Sequence, residues 1–424
     1  MSDVSDEGPE RPAAQQVERY PSLTGLRFLC ALGVFLTHAW YVAKVFRDDR
    51  AEQAVKAVLP LGMVGVSVFF VLSGFVLTWS ARDGEGTRGG ESARSFWRRR
   101  AAKVYPNHLV VWALLLVFVL ATGSAVTGGS GGGFPWLPAL ANLPLLHAWL
   151  PGPGFTAGLN IVTWSLAVEV FCYALFPFLL PRLRRIRPER LWAAAVCAVL
   201  AVWLVAVIAS QFRGGRTVPD VEVSQWQFWI PYFFPLGRLP EFVLGMLLAR
   251  IVRAGRGVVP GMALSGLALV LALGTALATL PFAFLPAAAT VVPVCGLILS
   301  AAAADRDGRR SWLRRPALVR LGEASFAFYV VHWPVVMIAH WALGGGRWST
   351  PVAMAATALF LALSLLAARL LHRYVELPAV RRFARPRRAA APSSPPLLDE
   401  ARRPAVPVPG STAGRRMNSR GADA

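Results

Sequence analysis

Residues 25–40 read GLRFLCALGVFLTHAW, a run that joins membrane-like hydropathy to ionisable side chains. It is apolar enough to lie in hydrocarbon, yet it carries Arg27 near its start and His38 near its end. An ionisable group inside a membrane span is costly and by default marks a place where something is bound or done. Eleven helical residues make about three turns. Arg27 and His38 therefore fall within about 20° of one face, about 16 Å apart along the axis. Two readings fit that face. In one, an anion-binding end is joined to a base deeper in the membrane. In the other, Arg27 snorkels to lipid phosphate and His38 bonds a neighbouring helix.

Outward from this helix, the whole chain has the same character. Of its 424 residues 55% are hydrophobic and only 16% charged, with a mean hydropathy of +0.49. A soluble domain carries about 25% charged residues. Ten apolar segments stand out, at 24–45, 60–80, 104–123, 162–181, 191–210, 230–251, 261–279, 283–303, 320–342 and 352–373. Each is near the ~20 residues that cross ~30 Å of hydrocarbon. Only helices satisfy the backbone of such runs in lipid, so the fold class is all-α, a polytopic bundle of about ten transmembrane helices.

Lys and Arg set the orientation. The stretches 81–103, 182–190, 250–260 and 304–320 hold 21 of them, against six in the alternate connections. That pattern predicts both termini in the cytoplasm. The segment WLPALANLPLLHAWLP, 136–151, is apolar but cut by prolines, and a crossing there would turn the five arginines of 182–190 outward. It reads as an interfacial or re-entrant piece. Residues 1–23 form a cytoplasmic segment, 24–373 the membrane domain, and 374–424 a Pro/Arg-rich tail that reads as disordered. The polar first 20 residues lack a cleavable signal, so the first apolar run reads as a retained anchor.

The net charge of +21 does not point to nucleic acid, because the basic residues fall in short clusters between apolar runs and no basic face carries interleaved aromatics. Only three of the 44 basic residues are lysine, Lys44, Lys56 and Lys103. Cys30, Cys172, Cys197 and Cys295 lie inside apolar runs without ligand spacing, which argues against a disulfide framework or a metal site.

Few ionisable residues remain as candidates for chemistry. TWSLAVEVFCYALFP, 163–177, places Ser165, Glu169 and Tyr173 on one helix face, with Glu169 near the depth of His38. A carboxylate there could orient the imidazole, or simply pair with Arg238. GRLPEFVLGMLLAR, 237–250, puts Arg238 and Glu241 three apart, so that they could neutralise each other. His332 precedes Trp333-Pro334, and the proline frees a backbone carbonyl of the kind that lines cavities. Arg98, Arg99, Arg100 and Lys103, in SFWRRRAAKVYPNH, suit either topology alone or a phosphate site. GVSVFFVLSGF, 65–75, with Gly65, Ser67, Ser73 and Gly74, allows close helix packing. His108, His147 and His372 receive no role.

In order along the chain, Arg27 to His38, FFVLSGF, FWRRRAAKVYP, WSLAVEVFCYALFP, RLPEFVLGMLLA and SFAFYVVHWPVV resemble the motifs of the acyltransferase-3 family of integral membrane acyltransferases, over about residues 20–385. Thr24 stands where the family often has an acidic residue, and Lys103 where it usually has a second arginine; lysine cannot form a planar fork on phosphate. The resemblance implies transfer of an acyl group from cytoplasmic acyl-CoA to a hydroxyl, as in O-acetylation of a carbohydrate. It implies His38 as general base and Glu169 as its orienting or acceptor-binding partner. Arg27, Arg98, Arg99, Arg100 and Lys103 would hold the donor, with Ser73, Trp164, Ser165, Arg238, Glu241 and His332 among the substrate contacts. No metal or organic cofactor is implied, acyl-CoA being a co-substrate, and the location is the bacterial plasma membrane. PSLTGLRF looks most like actinobacterial members, some of which acylate macrolide sugars; others modify cell-surface glycans. The rival class is a flippase of a lipid-linked glycan that performs no chemistry.

Overall fold

Nine of the ten apolar segments form helices long and apolar enough to cross a membrane, among the residues described. The structure is a computed structural model, and it describes residues 20–56, 59–81, 92–123, 136–218 and 222–383. Its helices include α1 (Pro21–Leu36), α2 (Leu59–Ser80), α3 (Ala93–Thr122), α4 (Thr163–Arg184), α5 (Leu191–Gln211), α6 (Pro235–Arg253), α7 (Met262–Thr279), α8 (Val291–Arg306), α9 (Ser325–Ala342), α10 (Thr350–Leu371) and α11 (Leu377–Phe383). Leu114, Val117, Leu200, Val270, Leu271 and Leu366 stand more than half exposed on the outer helices. Such faces suit lipid and would be a liability in water.

The tenth segment is the exception. Pro281 and Pro286 cannot donate helical hydrogen bonds, and residues 282–290 form only a short 3-10 turn and further turns. The 16 residues of α8 that follow reach about 24 Å, short of the hydrocarbon thickness. The segment 136–151 does not cross: it breaks into Trp136–Asn142 and a turn at His147–Trp149. Asn142 Nδ2 donates to Thr163 Oγ1 (2.7 Å), and His108 Nε2 donates to the Asn142 and Leu143 carbonyls (3.1 Å), so the piece is strapped to the start of α4 and to α3. Burial pushes His147 down to about 3, so its own ring stays neutral there.

Three packing devices position the site. The start of α1 lacks a side-chain cap of its own, and Asp305 from α8 supplies one. Its carboxylate accepts from the Ser22 backbone N–H (2.8 Å) and hydroxyl (2.7 Å). A carboxylate at a helix N-terminus is favoured by the helix dipole, and here it fixes the depth of Arg27. The helices α2 and α6 cross at backbone contact. A Cβ on Gly74 would run into the Phe242 carbonyl, and one on Gly245 into that of Val71. The small residues of FFVLSGF thus do what their size suggests. At the far end, α1 widens into a π-helical turn, Thr37–Val42, where His38 lies. Single π turns inside α-helices recur at functional sites.

Two boundaries differ from the sequence reading. The basic cluster 98–103, expected in a loop, lies inside α3, whose first turn is capped by Ser92 accepting from the Ser95 N–H (3.3 Å). The last long helix does not stop at 373. A π turn, His372–Glu376, carries it into α11, which ends at Phe383. Residues 384–424 and 1–19, read as most of a disordered tail and as an N-terminal segment, lie outside the described residues.

Candidate active site

Two cavities enter the bundle from opposite ends of α1. The first, about 150 Å³, opens where α1 begins. Arg27, Arg100 and Lys103 line it together with Ser73, Ser165, Glu169 and Tyr173, over apolar walls that include Phe69, Phe70 and Phe326. The second, about 530 Å³, opens where α1 ends. It is lined by Thr37, His38, Trp164, Arg216, Gln225, Trp229 and Tyr232, among others. Val66 and Tyr329 line both cavities.

Tyr329 forms the partition between them. Its hydroxyl shares a 2.7 Å hydrogen bond with Ser165 Oγ and lies 3.3 Å from the Val162 carbonyl. Trp164 and Ser165 are adjacent in α4 but face different cavities, as successive residues of a helix must when a wall passes between them. The Arg27–His38 face is therefore real but divided, with the cation at one cavity and the imidazole at the other.

Helical periodicity sorts the basic cluster. Arg100 and Lys103, three apart on α3, both turn into the first cavity, while Arg98 and Arg99 do not line it. The Arg100 guanidinium lies over the rings of Phe96 (5.5 Å) and Tyr173 (5.8 Å). Lys103 is not a free cation: it pairs with Glu376, which is 1% exposed and also accepts from Asn107 Nδ2 (2.9 Å).

Glu169 stands apart from His38. Its carboxylate accepts from Tyr173 and, at 3.3 Å, from Ser73, and it faces the first cavity. Ser165, Glu169 and Tyr173 line the first cavity and His38 the second, so the orienting contact expected between Glu169 and His38 is not seen. Nor does Glu169 pair with Arg238. Arg238 and Glu241 are fully buried with Nε and Oε2 3.1 Å apart, and Ser67 donates to the same carboxylate. Arg238 also lies 5.0 Å over the Phe70 ring. Neither residue lines either of these two cavities, so the substrate contact expected of the pair is not seen there; Ser67 ties the pair to α2. His332 is likewise fully buried; its neighbour is His38, with Nε2 3.2 Å from His38 Nδ1.

Several residues escaped the sequence reading. Tyr329 lies one turn before His332 and carried no charge to draw notice. Asn160 donates to the Val330 carbonyl (2.9 Å), the one that Pro334 leaves free, so the proline signal was present but its partner was not legible. Glu376 lies in a stretch where hydropathy says nothing. Arg216 and Gln225 reach the second cavity from a two-residue β pairing, Thr217–Val218 with Val223–Ser224, and the helix that follows it.

A family model described as an acyltransferase domain, Acyl_transf_3, matches residues 20–369. The chain is 40% identical over 392 residues to the acyltransferase MdmB of Streptomyces mycarofaciens, across 91% of this chain and 98% of that protein. It is 30% identical over 286 residues to the exopolysaccharide production protein ExoZ of Rhizobium meliloti, across 64% of this chain and 76% of that one. It is 27% identical over 344 residues to nodulation protein 10 of Rhizobium leguminosarum, across 74% and 84%. No solved structure matches. A match spanning nearly all the helices, over a bundle that brings a basic recess and an imidazole to one partition, makes the chain a member of the acyltransferase-3 family of membrane acyltransferases.

Proposed function

We propose that the protein is a plasma-membrane O-acyltransferase that moves an acyl group from cytoplasmic acyl-CoA to a hydroxyl of a glycosidic acceptor. The observation that carries this reading is the meeting of two unlike cavities at Tyr329. One is rimmed with cations and the other holds a histidine among aromatic side chains. By the positive-inside argument the first cavity faces the cytoplasm, and both termini lie there, because the turns at 282–290 and the short α8 bring the chain back to the start of α1, where Asp305 meets Ser22. Arg27 and Arg100 receive the anionic end of the donor, as guanidinium groups do for phosphate. The slender thioester arm then extends past Tyr329 toward His38.

In the second cavity the acceptor hydroxyl gives its proton to a ring nitrogen of His38 while its oxygen bonds to the thioester carbon. The carbon–sulfur bond then breaks, and the same proton passes to the sulfur, releasing the free thiol. A general base contributes roughly 10²–10⁴-fold. The remainder comes from holding both substrates in line in a site closed to water. Trp164, Trp229 and Tyr232 offer aromatic faces to the apolar face of a sugar ring, and Arg216 and Gln225 offer donors for its hydroxyls. The name of the relative ExoZ, which concerns exopolysaccharide production, supports a glycan acceptor.

Radiolabelled acetyl-CoA supplied to the purified protein in liposomes tests this reading against a panel of glycosylated acceptors. Label entering the acceptor with matched thiol release is the expected result. Movement of a lipid-linked glycan across the bilayer without thiol release would establish the flippase instead.

A further inference from the structure

We propose that His332 is the positioning residue of the base: a neutral imidazole that fixes which nitrogen of His38 carries the proton. This rests on the reading of His38 as the general base.

A chain of hydrogen bonds runs outward from α9. His332 Nδ1 lies 2.8 Å from the Tyr329 carbonyl and 3.3 Å from that of Phe328. A carbonyl only accepts, so Nδ1 carries the hydrogen. A neutral imidazole has one N–H, which leaves His332 Nε2 as a bare acceptor. That nitrogen faces His38 Nδ1 at 3.2 Å. His38 Nδ1 is also 2.9 Å from the Val34 carbonyl. Both of its neighbours are acceptors, so Nδ1 of His38 holds its hydrogen and shares it between them. Nε2 of His38 is then the nitrogen with a free lone pair, on a ring that lines the second cavity.

The surroundings hold this arrangement in place. The His332 ring packs against Phe328 (5.8 Å), Phe35 (6.2 Å) and Tyr329 (5.8 Å), and the His38 ring against Trp333 (5.6 Å). A carboxylate in this place would need its charge buried among apolar rings, at a desolvation cost that a neutral imidazole avoids. The bond also survives catalysis. When His38 takes the acceptor proton on Nε2, Nδ1–H remains and still donates to His332. The base therefore keeps its direction while its charge changes, and His332 itself exchanges no proton.

Amide side chains separate the two nitrogens of His332. Asparagine reaches about as far as Nδ1 and glutamine about as far as Nε2. His332→Gln thus keeps an acceptor for His38, whereas His332→Asn keeps only the contact within α9. The expected result is a fall in kcat of about tenfold or more for His332→Asn, with KM for acetyl-CoA within twofold, and substantial recovery in His332→Gln. Equal kcat in the two variants, or a change confined to KM, would overturn the proposal. His38→Ala is measured beside them. If it turns over normally, the base reading fails; if it is inactive while His332→Asn is fully active, only the role of His332 fails. Nitrogen-15 NMR of histidine-labelled protein, with His38 assigned by its loss in His38→Ala, needs no variant of His332 to fold. Protonation at Nδ1 of His38 is expected, and protonation at Nε2 sinks the assignment.

Discussion

Arg100 and Lys103 show how two cations three residues apart acquire different work. Both line the first cavity, but Lys103 is already matched by the buried Glu376, while Arg100 lies against aromatic rings and has an Nε without a hydrogen-bond partner. Arg100→Gln is therefore expected to raise KM for acyl-CoA by about tenfold or more, since a charge-assisted contact is worth roughly 1.5–3 kcal/mol, and to leave KM for the acceptor unchanged. Lys103→Gln should act mainly on stability, because it leaves the buried Glu376 carboxylate without its cation, at a cost of up to about 3–5 kcal/mol. Glu376→Gln in the same chain should restore most of that loss, a coupling that a thermal-unfolding cycle measures directly. Residue type and the cost of burying charge made Arg27, His38 and the basic cluster legible in the sequence. They could not tell which cations were free, because the partner of Lys103 lies 273 positions away in a stretch without apolar periodicity.

A spacing of eleven residues matters at the scale of an element only if the helix keeps its register to His38. It does so up to Leu36, and the π turn begins one residue later. Moving the histidine tests this register. In His38→Ala with Ala39→His the ring turns by about 100° into a position that is fully buried in the native packing. No rescue of transfer is expected, and that protein should also be less stable. With Val34→His the ring faces the second cavity, which Val34 lines, but sits about 6 Å nearer the cation end. A trace of activity is expected there, and equal activity from both would refute the register argument. Long apolar runs read correctly as helices because hydrocarbon leaves the backbone no alternative. Proline placement is less decisive. Pro281 and Pro286 shortened α8, whereas Pro106, Pro240 and Pro334 lie inside helices that continue past them. Tertiary partners decide such cases, as Asn160 does for the carbonyl left free by Pro334.

For the molecule as a whole, the proposed function has two substrates enter by the two cavities and meet where Tyr329 stands. A wall there has a chemical use: it keeps water in the larger cavity away from a waiting thioester. Two substitutions separate the wall from its latch. Tyr329→Phe keeps the ring but loses the hydrogen bond to Ser165, whereas Tyr329→Ala removes the ring and joins the cavities. Both keep the backbone carbonyl to which His332 donates, so the orientation of the base is preserved in each. Thiol release is followed with and without acceptor. Tyr329→Ala should release thiol severalfold faster than the parent when no acceptor is present, with free carboxylic acid as the product. Tyr329→Phe should stay near the parental rate of hydrolysis. If the alanine variant hydrolyses no more acyl-CoA than the parent while still transferring to acceptor, Tyr329 is not what keeps water from the donor. If it loses transfer and hydrolysis together in a folded protein, the ring is needed to seat the thioester rather than to shield it. An increase in hydrolysis that His38→Ala then abolishes would show that the same base serves water once the wall is gone.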